Sequence, residues 1–194
     1  HRALAEIQAA TGSNTLITQN VDGLHQAAGS SPVIDLHGRL DTVVCLTCGA
    51  KSSRVQLQRR LADLNPGFGY DAVRGAAAVR PDDTAAARPD DTATMRPDGD
   101  AEVGDTGSFV VADCLICGGV LKPDVVFFGE NVPARTVRAS YDAVAGAEAM
   151  FVAGSSLTVM SGLRFVKRAA AQGIPIVIVN RGATRGDDLA TLRV

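Results

Sequence analysis

Four cysteines stand in two matched pairs, "CLTCGA" with Cys45 and Cys48 and "CLICGG" with Cys114 and Cys117. No other feature restricts the fold of this 194-residue chain as much. Two thiolates at C-x-x-C spacing converge on one metal, and a second pair completes a tetrahedral set. The glycine after each pair suits a tight turn that points backbone amides at the sulfurs. Zinc is the expected occupant. With four protein ligands no position is left for water, so the site is expected to be structural. A disulfide pair or a redox dithiol is the competing reading of the same spacing. A closed metal site of this kind contributes on the order of 10 kcal/mol to its local fold.

The two pairs are far apart in the chain, with residues 49–113 between them, where a compact zinc ribbon uses ~15 to 20. Much of the excess is repetitive: "RPDDTAAA", "RPDDTATM" and "RPDGD" begin at Arg80, Arg88 and Arg96. Pro, Asp and Ala without bulky apolar residues cannot bury enough surface to offset chain entropy. Residues 75–107 are therefore expected to form a mobile loop on a zinc lobe, and the short period without core residues excludes a solenoid. A neutral expansion is favoured for this loop over a partner-binding role.

Around this lobe the chain alternates between apolar strands and helices. "HRALAEIQAA" reads as the tail of a helix, "VQLQRRLADL" (55–64) as a helix, and "SGLRFVKRAAAQG" as another that stops at Gly173. Strands are expected at Leu16 and Ile17, in "PVIDLHG" (32–38), through "PDVVFFGE" (123–130), in "AMFVAGSSL" (149–157) and in "IPIVIVN" (174–180). Continuous apolar strands between helices indicate an α/β fold, a Rossmann-like doubly wound parallel sheet with the small zinc-binding lobe inserted. The expected division is 1–40 and 123–194 for the sheet domain and 41–122 for the lobe.

Three strand ends carry polar groups where ligands bind in such sheets. After Leu16 and Ile17 come Gln19, Asn20 and Asp22, just before a helix opening at Gly23. A helix cap needs only one such residue and is worth ~1 kcal/mol, so three of them point to a ligand. Gly154, Ser155 and Ser156 form a second turn, suited to a phosphate at a helix N-terminus, with a plain N-cap as the alternative. Asn180 ends a third strand and suits a ribose or an adenine. Together the three ends suggest a dinucleotide. His37 lies between a strand and Gly38, at the border of the lobe, and suits general base work near neutral pH. A formal charge of −2 without clustered Lys or Arg argues against nucleic acid as the main partner. No apolar run approaches the ~18 residues of a membrane span. The first residue is His1 and not Met, so a fragment lacking its true N-terminus is expected.

In this order, "TQNVDGLH", "DLHG", the paired "CxxCG" motifs, "KPDVVFFGE", "GSSLTV" and "IVN" resemble the sirtuins, the NAD-dependent protein deacylases. "LNP", "PDGD", "LKPDVVFFG", "VMSGLRF", "TRGDDLA" and the long cysteine spacing look most like the class II branch that includes mitochondrial sirtuin 4. The eight-residue repeat does not. The resemblance implies two cofactors, NAD and Zn2+, and acyl-lysine proteins as substrates. It implies that Gln19, Asn20, Val21 and Asp22 bind the nicotinamide ribose and carboxamide, with Asn20 and Asp22 sharing the catalytic work. It makes His37 the general base. Gly154, Ser155 and Ser156 match the phosphate side of the cofactor site, and Asn180, Arg181 and Gly182 its adenosine end. Val126, Phe127, Phe128 and Gly129 match the segment that pairs with the substrate backbone as an added strand. Cys45, Cys48, Cys114 and Cys117 match the zinc ligands. The implied reaction moves the acyl group of acyl-lysine to ADP-ribose and releases nicotinamide.

The Gly-Ala-Gly type loop and first strand that open a sirtuin are absent from these residues, as is the segment that completes the adenine pocket. The 194 residues alone are therefore expected to be poorly active. Two other functions are weighed: protein mono-ADP-ribosyltransfer, and a non-catalytic NAD or zinc interaction module. A cytoplasmic location is expected from the composition, with no membrane partner.

Overall fold

The computed structural model describes residues 1–12, 15–66 and 107–194. The expected loop at 75–107, apart from Gly107, lies outside the described residues, as does "PDGD". The chain divides into two compact units, one of His1–Thr42 with Pro123–Val194 and the other of Val43–Lys122.

In the first unit, α1 (Arg2–Thr11) ends at Gly12, whose φ of 77° lets its amide turn back to the Gln8 carbonyl. β1 (Leu16–Thr18) and β2 (Val33–Asp35) pair in parallel, Leu16 opposite Val33 and Thr18 opposite Asp35. Between them lies α2 (Leu24–Ala27), a single turn. Later come α4 (Ala134–Ala145), β6 (Met150–Ala153), α5 (Met160–Ala171), β7 (Ile176–Val179) and β8 (Leu192–Arg193). β6, β7 and β8 form a parallel sheet in that order, with Ala153 opposite Val179. The β-branched run of β7 suits a strand covered by helices. Its Ile176 and Ile178 meet Leu163, Phe165, Val166 and Ala169 of α5 in the main core, with Leu36, Val144 and Leu157. Tyr141 of α4 stands edge-on to Phe165 at 5.0 Å.

Among its described residues the second unit holds a core of Val43, Leu57 and Ala112, with Leu61 and Leu121 against it. α3 (Arg54–Leu64) is capped by Ser53, whose hydroxyl accepts from the Val55 amide. At its far end the Asn65 side chain donates to the Leu61 and Val110 carbonyls and accepts from the Val110 amide. β3 (Gly38–Cys45), β4 (Lys51–Ser53) and β5 (Leu121–Val125) form a three-stranded sheet in the order β4-β3-β5.

Two strand expectations are corrected. β5 does not run through Phe127 and Phe128 but ends at Val125. The chain turns there because the Glu130 carboxylate accepts from the Phe127 amide and Gly129 takes a φ of 89°. β6 is not buried on both faces: Met150 and Val152 pack on the core, whereas Phe151 is 49% exposed.

Candidate functional site

The polar turn after β1 is shaped by its own side chains. The Thr18 hydroxyl accepts from the Asn20 amide at 3.1 Å, and Asp22 Oδ1 accepts from the Leu24 amide at 2.9 Å. Asp22 thus makes the local turn contact weighed as the cap reading. Asn20 and Asp22 are both exposed. The Val21 carbonyl accepts from the Leu40 amide and ties the turn to β3. Arg39 covers Gly23, where an added Cβ would stand 3.1 Å from its Nη2. The same guanidinium pairs with Asp41 and holds that carboxyl below the usual carboxylate range.

His37 lies in the two-residue turn, with Leu36, between β2 and β3. Its ring is held on both sides: Nδ1 lies 3.2 Å from the Gln19 carbonyl oxygen and Nε2 lies 2.8 Å from Ser161 Oγ. A carbonyl only accepts, so the neutral ring carries its proton on Nδ1 and presents a lone pair at Nε2. Gly38 makes this approach to β5 feasible. Its φ is 80°, and an added Cβ would stand 2.0 Å from the Asp124 carbonyl oxygen. The Val126 amide then donates to the His37 carbonyl at 2.9 Å. Of the four residues expected to receive a peptide strand, Val126 and Phe127 therefore already use their amides within the chain, and Phe128 is fully exposed.

Ser161 is the site residue that sequence reasoning missed. It lies in the first turn of α5, buried. Its only signal was a small polar residue in "VMSGLRF". Gln19 reaches the same place: its Nε2 donates to Ser161 Oγ and its Oε1 accepts from the Ser155 hydroxyl, each at 3.4 Å. An added Cβ at Gly162 would stand 2.9 Å from Gln19 Oε1, so glycine leaves the room this side chain occupies. The first and second expected strand ends thus meet at Gln19.

Gly-Ser-Ser is not a helix cap. α5 begins at Met160 after Val159, and no side chain caps it. The turn is built instead by Gly154 at φ 61°, by Ser155 Oγ accepting from the Leu157 amide, and by Leu157 itself at φ 54°. From the other side, the Arg185 amide donates to the Ser156 carbonyl and Arg185 Nη1 to the Thr158 carbonyl at 2.6 Å. Asn180 follows the neighbouring strand, but its Nδ2 donates to the Gly182 carbonyl at 3.1 Å and to the Arg181 carbonyl at 3.4 Å. Its amide group shapes the Arg181–Gly182 turn, where Gly182 has φ 95°.

In the second unit the four cysteines come together. Their sulfurs all lie within 4.8 Å of one another, with Cys45 to Cys117 at 3.5 Å and Cys48 to Cys114 at 3.8 Å. A zinc tetrahedron with bonds of ~2.3 Å has edges of roughly 3.8 Å, so the donor set fits zinc. The two knuckles repeat one geometry: Gly49 and Gly118 have φ of 72° and 69°, and their amides return to the Cys45 and Cys114 carbonyls. The Cys48 amide directed at Cys45 brings that thiol down to about 6. At Cys117 the Gly119 amide lowers the value, but the sulfurs of Cys48, Cys45 and Cys114 together push it up to about 12. Four thiolates so close need a cation to coexist.

A family model described as the Sir2 family matches residues 1–161. The chain is 53% identical over 194 residues to NAD-dependent protein deacetylase 1 of Streptomyces coelicolor, all of this chain matching 59% of that protein. It is 50% identical over 196 residues to NAD-dependent protein deacetylase 1 of Mycobacterium avium, again over its whole length and 64% of that protein. The chain thus spans about 60% of the length of these relatives. A solved complex of Sir2 with a p53 peptide and NAD+ matches with a TM-score of 0.69 and 28% identity, over 100% of this chain and 62% of that one. A Sir2Tm structure bound to a propionylated peptide matches with a TM-score of 0.70 and 28% identity, over 100% and 62%.

Proposed function

Because the chain belongs to the Sir2 family, we propose that the whole protein is an NAD-dependent protein deacylase acting on acyl-lysine side chains. The observation that carries the reading is the ring of His37, fixed between the Gln19 carbonyl and the Ser161 hydroxyl with a lone pair at Nε2. A base held in that way, beside a turn of amide and carboxylate groups, is suited to accept a proton from a bound hydroxyl. The relatives' names, NAD-dependent protein deacetylase, support the coarse activity.

In this reading Gln19, Asn20, Val21 and Asp22 hold the nicotinamide and its ribose, with Asn20 and Asp22 beside the bond that breaks. Gly154, Ser155 and Ser156 face the phosphates, and Asn180, Arg181 and Gly182 face the adenosine. The meeting of the first two turns at Gln19 and Ser155 supports one extended ligand across them. Bound NAD supplies the ADP-ribose that takes up the acyl group. Val126, Phe127, Phe128 and Gly129 receive the peptide, and the exposed Phe128 offers it an apolar contact. Cys45, Cys48, Cys114 and Cys117 hold a structural zinc. The acyl groups accepted extend beyond acetyl in this proposal, which the propionylated peptide in a solved relative motivates. No helix among the described residues is long and apolar enough to cross a membrane. A cytoplasmic location rests on composition alone. The relatives compared are bacterial deacetylases and lend no support to the sirtuin 4 branch, which is not part of this proposal.

The test is mass spectrometry of acetyl-, propionyl- and succinyl-lysine peptides incubated with NAD and the full-length protein, beside His37→Ala. Loss of acyl groups matched by nicotinamide release, with turnover lowered ~100-fold or more in the variant, is the expected result. Nicotinamide release with the acyl groups retained would replace this reading by ADP-ribosyl transfer. Absence of nicotinamide would leave only a binding module.

A further inference from the structure

We propose that Ser161 is a positioning residue for His37, an inference that rests on the deacylase reading. Three observations converge on it. Ser161 Oγ lies 2.8 Å from Nε2, nearer than the Gln19 carbonyl oxygen is to Nδ1 at 3.2 Å. The serine is 8% exposed, so little water competes for its hydroxyl. Its backbone belongs to the first turn of α5, a twelve-residue helix packed into the main core, so the hydroxyl is carried by a rigid element.

A hydroxyl is the one small side chain that satisfies Nε2 in both of its states. Toward the neutral ring Oγ–H donates to the lone pair. When Nε2 carries a proton, rotation about Cβ–Oγ turns the serine into an acceptor, and the ring keeps its place. Nδ1–H stays on the Gln19 carbonyl throughout. Gln19 Nε2 donates to the same Oγ, so the carboxamide assigned to the nicotinamide side and the base share one hydroxyl. With Ser161 removed, Nε2 loses its protein partner and the ring is pinned at Nδ1 alone. Small displacements of a reacting group carry large rate costs.

The experiment has two readouts on the full-length protein, with Ser161→Ala and Ser161→Thr as variants. The first is the 15N spectrum of the histidine rings without NAD, the His37 signals being identified by their loss in His37→Ala. The expected pattern is a neutral ring protonated at Nδ1 with a hydrogen-bonded Nε2. Ser161→Ala should move the Nε2 signal to that of an acceptor without a partner, and Ser161→Thr should keep the original pattern. The second is turnover of an acetyl-lysine peptide with NAD. In Ser161→Ala kcat should fall ~10- to 100-fold with KM changed far less, and threonine should restore most of it. Unchanged ring signals, or a kcat that stays level or rises in Ser161→Ala, overturns the proposal. If His37→Ala is inactive and Ser161→Ala is not, only the serine's role falls. If His37→Ala keeps turnover, the base role of His37 falls and the serine's role with it, whereas the deacylase reading falls only if the unaltered protein removes no acyl group.

Discussion

At Gly38 one added methyl group does more harm than at most other positions. Its φ of 80° already disfavours any L side chain, and the new Cβ would lie 2.0 Å from the Asp124 carbonyl oxygen, which is main chain and cannot swing away. Gly38→Ala should therefore destabilise the protein by about 2 kcal/mol or more, read as a lower urea midpoint. It should also lower turnover, because the displaced backbone is that of the adjacent His37. The importance of this glycine was half legible in the sequence. "DLHG" placed a histidine at a strand end, but the approach of Asp124 is a contact between distant residues. The polar turn shows the same division. Asp22 was read as a ligand group, and its bond to the Leu24 amide shows that it also builds the loop carrying Gln19.

Among the elements, the knuckles are where sequence and structure agree most closely. Each is a local device: two cysteines three residues apart, then a glycine in the left-handed region. Cys114→Ser should remove about one equivalent of zinc by metal analysis, since three thiolates bind it more weakly and leave a site open to water. Gly119 deserves the same test, because an added Cβ would lie 2.4 Å from Thr47 Oγ1 and 3.0 Å from Cys45 Sγ. The segment after β7 behaves differently. Asp187 accepts from the Thr184 hydroxyl and amide, contacts that hold its carboxyl below the usual range together with Arg193. A depressed carboxyl stabilises above its unfolded value, and that contribution is lost as pH falls through the folded one. Protection of the Thr184 amide, taken relative to its intrinsic exchange rate, should therefore fall in acid before that of β7 does. Asp187→Asn should lower it at neutral pH as well. The neighbouring Arg185 grips the Ser156 and Thr158 carbonyls, so the variant should also raise the KM for NAD in the proposed reaction.

For the molecule as a whole, the two units differ in what holds them. Among the described residues the first has a core of nine buried residues running from Leu36 to Ile178. Among its described residues the second has three, Val43, Leu57 and Ala112, beside the four gathered cysteines. A metal contribution on the order of 10 kcal/mol would dominate there. Chelation at neutral pH should accordingly expose the amides of α3 and β4 to hydrogen exchange while those of α5 and β7 stay protected. Uniform loss of protection would show that the units do not unfold separately.

The sequence by itself determined the family, the α/β class and the four-cysteine cluster, because each is written in short-range spacing: C-x-x-C-G knuckles, apolar strands, polar residues where strands end. It did not determine where β5 stops, since Glu130 and Gly129 turn the chain before its aromatic run can extend the strand. Nor did it reveal Ser161, which meets His37 across 124 residues of chain. That contact exists because the polar turn after β1, the strand end after β2 and the first turn of α5 are brought to one place by a shared core. Such a meeting is decided by packing among distant elements, and no local pattern records it.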